Sequence, residues 1–190
     1  MYHEHSRALQ DRFDSRRIAD RLAEKLLRSS FSDEDRALIA EQSFFFLATA
    51  DAQGRPDCSY KGGAPGFVRV VAPDTLAFPS YDGNGMFKSL GNIESNPAVG
   101  LLFIDFQAGR RLRVNGRAAL HLEDALKGEY PGAQAMVRVQ AQHIFPNCPR
   151  YIHRMQMVEA SPFVPAADGS APVPGWKLNP AFKDHLPRQG

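Results

Sequence analysis

Phe44-Phe45-Phe46-Leu47-Ala48-Thr49-Ala50-Asp51-Ala52-Gln53-Gly54-Arg55-Pro56-Asp57-Cys58-Ser59-Tyr60-Lys61 is the stretch that first decides the fold. The apolar run from Phe44 to Ala50 has the length and aromatic content of a buried strand, and it stops at Asp51-Ala52-Gln53-Gly54, whose side chains and glycine favour a turn. A second strand near Asp57 to Lys61 should therefore fold back beside the first as a β-hairpin. Three further strands follow at short intervals: Gly66 to Val71, then Thr75 to Ser80 after the Ala72-Pro73-Asp74 turn, then Ala98 to Phe106. From Arg110 to Leu120 the chain alternates, with Leu112, Val114, Ala118 and Leu120 on one face and Arg111, Arg113, Asn115 and Arg117 on the other. A last strand is expected near Ala133 to Phe145. Short turns between successive strands favour antiparallel pairing, so these elements suggest a small antiparallel barrel.

Upstream of the hairpin, Leu9, Phe13, Ile18, Leu22, Leu26 and Leu27 recur at helical spacing among charges of both signs. This predicts one or two amphipathic helices that pack on the body or on a partner subunit. Ser32, followed by Asp33, Glu34 and Asp35, predicts an N-capped short helix leading into the first strand. Further helical pieces are expected near Met86 to Glu94 and around Pro149 to Val158. Beyond Ser161, prolines 162, 165, 172, 174, 180 and 187 predict an extended tail with little core of its own. The expected organisation is a helical arm over residues 1–35, a barrel over 36–160 and a proline-rich tail over 161–190, together making one domain.

Bulk properties narrow the function. The 190 residues suffice for one full hydrophobic core, and 43% hydrophobic with 23% charged residues is ordinary globular usage. A formal charge of +2 without a basic stripe gives no reason to expect a nucleic-acid partner. No apolar run approaches membrane-spanning length, and the N-terminal residues carry no apolar leader, so neither membrane nor export is expected and the cytoplasm is the expected location. Cys58 and Cys148 belong to no Cys-x-x-Cys pair and read as free thiols. His3 and His5 have metal-like spacing but do not make a site, and no metal is expected. His121, His143 and His153 have no serine or cysteine nucleophile paired with them by spacing.

The densest chemistry lies in Ser59-Tyr60-Lys61-Gly62-Gly63-Ala64-Pro65-Gly66 and, about twenty positions later, Phe78-Pro79-Ser80-Tyr81-Asp82-Gly83-Asn84-Gly85-Met86-Phe87-Lys88-Ser89. A phosphate is held by glycine-exposed N–H groups, hydroxyls and a cation at a helix N-terminus, and the second segment offers all of these just ahead of a predicted helix. Lys88 and Ser89 are natural ligands. Alternation puts Ser59 and Lys61 on one strand face, so Lys61 can supply a second charge to the same dianion.

The ordered set Arg55-Pro56-Asp57-Cys58-Ser59-Tyr60-Lys61, Gly66-Phe67-Val68, Phe78-Pro79-Ser80-Tyr81, Lys88-Ser89, Asn96-Pro97-Ala98-Val99-Gly100-Leu101-Leu102-Phe103 and Arg111-Leu112-Arg113-Val114-Asn115-Gly116 resembles the pyridoxamine 5'-phosphate oxidase-like FMN-binding split-barrel family. It is most similar to that family's branch of flavin-nucleotide-binding proteins, over roughly residues 40 to 150. The resemblance implies a mainly β protein, an antiparallel Greek-key split β-barrel with flanking α-helices. It also implies a homodimer with flavin mononucleotide (FMN) at the subunit interface. Carried over residue by residue, it assigns Ser59, Tyr60 and Lys61, with Gly62 and Gly63, to the strand along the flavin and phosphate. Pro79 and Ser80 fall on the strand by the ring and ribityl chain, and Lys88 and Ser89 match the phosphate pair. Asn84 and Met86 sit in an inserted loop that approaches the cofactor. Arg111 stands where the oxidases carry a ring-facing glutamine, and Arg113 shares its strand face. The oxidases' C-terminal arginine and histidine substrate segment has no counterpart, which sets pyridoxamine phosphate aside as substrate. The expected function is an FMN-dependent oxidoreductase acting on an unidentified small molecule. The alternatives are a non-catalytic flavin-binding or sensing protein, or the same barrel holding haem or a deazaflavin.

Overall fold

The computed structural model describes residues 1–187; the last three residues of the expected tail lie outside the described residues. Ser32 caps α3 (Asp33–Glu41) in a reciprocal capping box: its hydroxyl accepts from the Asp35 N–H while the Asp35 carboxylate accepts from the Ser32 N–H. Asp35 is buried and also pairs with Arg28 at 2.9 Å, so the same carboxylate ties the cap to the preceding segment. There Arg28 exchanges backbone hydrogen bonds with Ile144.

Seven strands form one antiparallel sheet: β1 (Phe44–Ala50), β2 (Pro56–Gly62), β3 (Arg69–Ala72), β4 (Thr75–Tyr81), β5 (Ala98–Asp105), β6 (Arg110–His121) and β7 (Ala133–Pro146), in the order β2-β1-β5-β6-β7-β4-β3. The Phe45 ring (β1) lies 5.0 Å from Phe78 (β4), although three strands separate them in the sheet order, so the sheet curls on itself. It does not close: β2 and β3 are edges that do not pair with each other, leaving a split barrel as expected. Phe45, Leu47, Leu76, Phe78, Phe103, Val114, Met136 and Ile144 fill its interior. Between the edges, Phe67 packs so tightly on Gly63 that a Cβ there would lie 2.5 Å from its ring. At a bulge in β6, a Cβ on Gly116 would lie 2.1 Å from the Gln140 carbonyl oxygen. α4 (Lys88–Ser95) packs against β1, β2 and β6.

Some expectations need correction. The third strand begins only at Arg69, because Ala64 to Phe67 form a turn closed by the Phe67 N–H on the Ala64 carbonyl. No helix forms over Pro149 to Val158: nearly every side chain there is exposed, so no apolar stripe could hold one. The chain instead runs along the sheet, the Met155 N–H on the Phe106 carbonyl and Met157 beside Ser43. The arm forms α1 (Glu4–Arg12) and α2 (Arg16–Leu26), but neither buries a residue on the body, and Leu9, Phe13, Ile18 and Leu22 are exposed. Among the described residues, no helix is long and apolar enough to cross a membrane.

Candidate functional site

Cross-strand partners share a sheet face, so buried Phe45, Leu47 and Thr49 on β1 set the direction of Lys61, Ser59 and Asp57, their register partners on β2. These three polar side chains therefore follow one another along the inner side of an edge strand. α4 is pinned against them: Asn92 Nδ2 donates to Thr49 Oγ1 at 2.9 Å, and Ser89 Oγ lies 2.7 Å from Ser59 Oγ. Lys88 Nζ stands 3.8 Å from Asp57 Oδ1. Residues thirty positions apart in sequence thus meet at one point.

The start of α4 is polar and uncapped. Phe87 occupies the N-cap in the left-handed region (φ 49°), and among the described residues no side chain caps the first-turn N–H groups. Their aligned dipoles make this end electropositive. The preceding loop is exposed from Asp82 to Phe87 and bends at Gly85 (φ 74°); Asn84 Oδ1 accepts from the Met86 N–H at 3.0 Å, which sets the loop's shape.

Lys61 is the distinctive charge. Burial lowers its pKa below the usual lysine value, with the negative charge of Asp57 opposing that shift. It takes part in none of the ion pairs found among the described residues. A cation held partly out of water beside a helix N-terminus favours an anion in the same place.

Around these groups opens a cleft of about 900 Å³, within the ~300–1,000 Å³ range of small-molecule and cofactor sites. Ser59, Tyr60, Lys61, Ser80, Asn84, Met86, Lys88 and Ser89 all line it. An apolar recess of about 430 Å³ adjoins it, sharing Ser80, Phe87, Leu90 and Gln134. The structure does not bring the other expected residues into the cleft. Pro79 is buried within β4. Gly62 and Gly63 stand at the end of β2, where bare backbone accommodates Tyr60 and Phe67, and the Gly63 N–H is already bonded to the Ser43 carbonyl.

Arg111 and Arg113 lie on the outer sheet face. One register row there runs Tyr60, Phe46, Leu102, Arg113, Phe145 across five strands. Tyr60 is 63% exposed and stacks on Phe44 at 5.3 Å, and Phe44 stacks in turn on Phe106. Beside this row, Arg111 Nε and Asn147 Oδ1 are buried and find no hydrogen-bond partner among the described residues.

The sequence reading missed one wall altogether. Pro174, Trp176, Lys177, Phe182 and His185 of the tail also line the cleft. The available signal was the chain's single tryptophan, standing next to a lysine in an otherwise polar, proline-rich segment.

A family model described as pyridoxamine 5'-phosphate oxidase matches residues 31–163. Among solved structures, HupZ of Group A Streptococcus is similar with a TM-score of 0.50 and 22% identity, over 66% of this chain and 99% of that one. An FMN-binding protein from Syntrophomonas wolfei aligns with a TM-score of 0.46 and 16% identity over 74% and 97% of the two chains. HutZ of Vibrio cholerae, described as a haem storage protein, aligns with a TM-score of 0.45 and 22% identity over 61% and 94%. No curated protein matches the sequence.

Proposed function

The chain belongs to the pyridoxamine 5'-phosphate oxidase family, and from that premise we propose that it is an FMN-binding oxidoreductase whose phosphate site is Ser59, Lys61, Lys88 and Ser89. The observation that carries this reading is the 2.7 Å contact between Ser59 and Ser89, which sets two hydroxyls beside two lysines and an uncapped helix N-terminus. Hydroxyls, ammonium groups and free N–H groups are the donor set a phosphate dianion takes. FMN, when bound, supplies the capacity to accept a hydride from a small donor. The protein's part is to hold the phosphate, orient the nucleotide along β2 and keep water from its buried side.

The same reading makes the outer face the contact between two copies. Tyr60, Phe44, Phe46 and Phe106 give it an aromatic surface. Across such an interface each copy would present Arg111 and Arg113 to the flavin of the other, where positive charge suits an anionic reduced ring. Cys58 and Cys148 are both exposed and unpaired, which suits a reducing cytoplasm.

The test is anaerobic titration of the FMN-loaded protein with NADH and with NADPH, followed by admission of oxygen. Bleaching of the flavin and its reoxidation over many turnovers are expected. Flavin retained but reduced by neither donor would favour a non-catalytic flavin carrier, and a haem spectrum in place of a flavin spectrum would overturn the reading.

A further inference from the structure

The tail has no buried residue in its helical pieces, yet it follows a defined path back over the cleft. Its first anchor is a tight loop at residues 166–170, closed by backbone bonds between Ala166 and Ser170 and between Gly169 and Ala166. That loop sits on Pro131 and Gly132 so closely that a Cβ on Gly169 would lie 3.0 Å from the Gly132 nitrogen. The second anchor is the ion pair between Lys177 and Asp82, which joins the tail to the loop ahead of α4. Lys177 Nζ also stands 5.7 Å from the centre of the Trp176 ring, and its side chain is only 17% exposed. Lys177 belongs to a 3-10 turn (Gly175–Leu178), and this turn with the short helix that follows (Pro180–Lys183), capped by Asn179, sets Trp176 edge-to-face with Phe182 at 6.2 Å.

Two anchors and two short helical turns, the second capped by Asn179, hold aromatic side chains at the mouth of a cleft, yet Trp176 is 41% and Phe182 50% exposed, and Met86 and Phe87 on the loop that shares the lining are exposed too. Apolar surface held in the open beside a polar cradle is completed by a ligand with a polar end and a flat apolar part. Resting on the FMN assignment above, we propose that the tail is the outer wall of the flavin site and that Trp176 lies against the bound nucleotide, with Lys177 holding that wall closed through Asp82. A planar heterocycle on an aromatic face is a favourable contact, and one such stack is commonly worth a several-fold to hundredfold change in affinity.

The experiment uses the full chain. FMN affinity is measured by flavin fluorescence for the wild type, Trp176→Ala and Trp176→Phe, and tryptic cleavage after Lys183 is timed with and without FMN. The expected results are a loss of about fivefold to a hundredfold in Trp176→Ala, substantial recovery in Trp176→Phe, and slower cleavage of the tail in the presence of FMN. Wild-type affinity in Trp176→Ala, with cleavage indifferent to FMN, would overturn the wall while leaving the flavin assignment standing. Failure of the wild-type chain to bind FMN would overturn both.

Discussion

Replacing Lys61 with methionine should move affinity and stability in opposite directions. Lys61 is half-buried, its ammonium is penalised by burial, and it takes part in no ion pair among the described residues. A charge-assisted hydrogen bond is worth about 1.5 to 3 kcal/mol, so Lys61→Met should weaken FMN binding by roughly tenfold to 150-fold. Lys88 is 59% exposed and already faces Asp57 at 3.8 Å, so solvent screening limits Lys88→Ala to less than about fivefold. The unliganded protein should respond the other way. A lysine whose folded pKa is depressed releases a proton more readily folded than unfolded, so its ammonium weakens the fold below the folded pKa. That penalty fades as pH rises toward the unfolded value. Lys61→Met removes it, and the unliganded variant should melt at or above the wild-type temperature at neutral pH. Flavin fluorescence titration and thermal denaturation supply the two readings. Unchanged FMN affinity in Lys61→Met would refute the phosphate assignment, and a large drop in unliganded stability would refute the account of Lys61 as a cation awaiting an anion.

Two further predictions concern the frame that holds the site. Gly116→Ala places a methyl group 2.1 Å from the Gln140 carbonyl at the bulge joining β6 to β7; denaturant unfolding should show a loss of more than about 3 kcal/mol or failure to fold. Asp124, hydrogen-bonded to the Arg138 guanidinium, has its pKa lowered to about 2. The stabilisation tied to this carboxylate, about 2 kcal/mol by linkage and led by the Arg138 hydrogen bond with a smaller share from the Leu126 N–H, is present above the ordinary value of 3.8 and lost as pH falls from there through about 2. Arg138→Met should therefore flatten the acid limb of the stability profile, and an unchanged limb would count against this pair.

Much of the site could be read because strand alternation is local. Ser59 and Lys61 share a face by position alone, and Leu112 with Val114 fixed Arg111 and Arg113 on the other side of their strand. The N-cap at Ser32 was equally visible, although the reciprocal bond from the Ser32 N–H to the Asp35 carboxylate was not. What escaped depended on distant contacts. Nothing near Ser89 in sequence indicates that its hydroxyl bonds directly to that of Ser59; only the family resemblance drew the two toward one phosphate. Glycines 62 and 63 read as phosphate-binding backbone, but their bare Cα atoms make room for Tyr60 and Phe67. The segment after Pro149 read as helical from its residue types, whereas its lack of a buried face left it extended. The tail's proline content announced an extended path without its destination, and only the fold brings Lys177 to Asp82.

The central claim is that the cleft grips a phosphate, and the most direct measurement compares FMN with riboflavin, the same flavin without that group, by equilibrium dialysis against the wild-type chain. Two lysines and two hydroxyls around one dianion predict at least about tenfold tighter binding of FMN, with the advantage shrinking as salt is raised. Equal affinity for the two flavins would contradict the account.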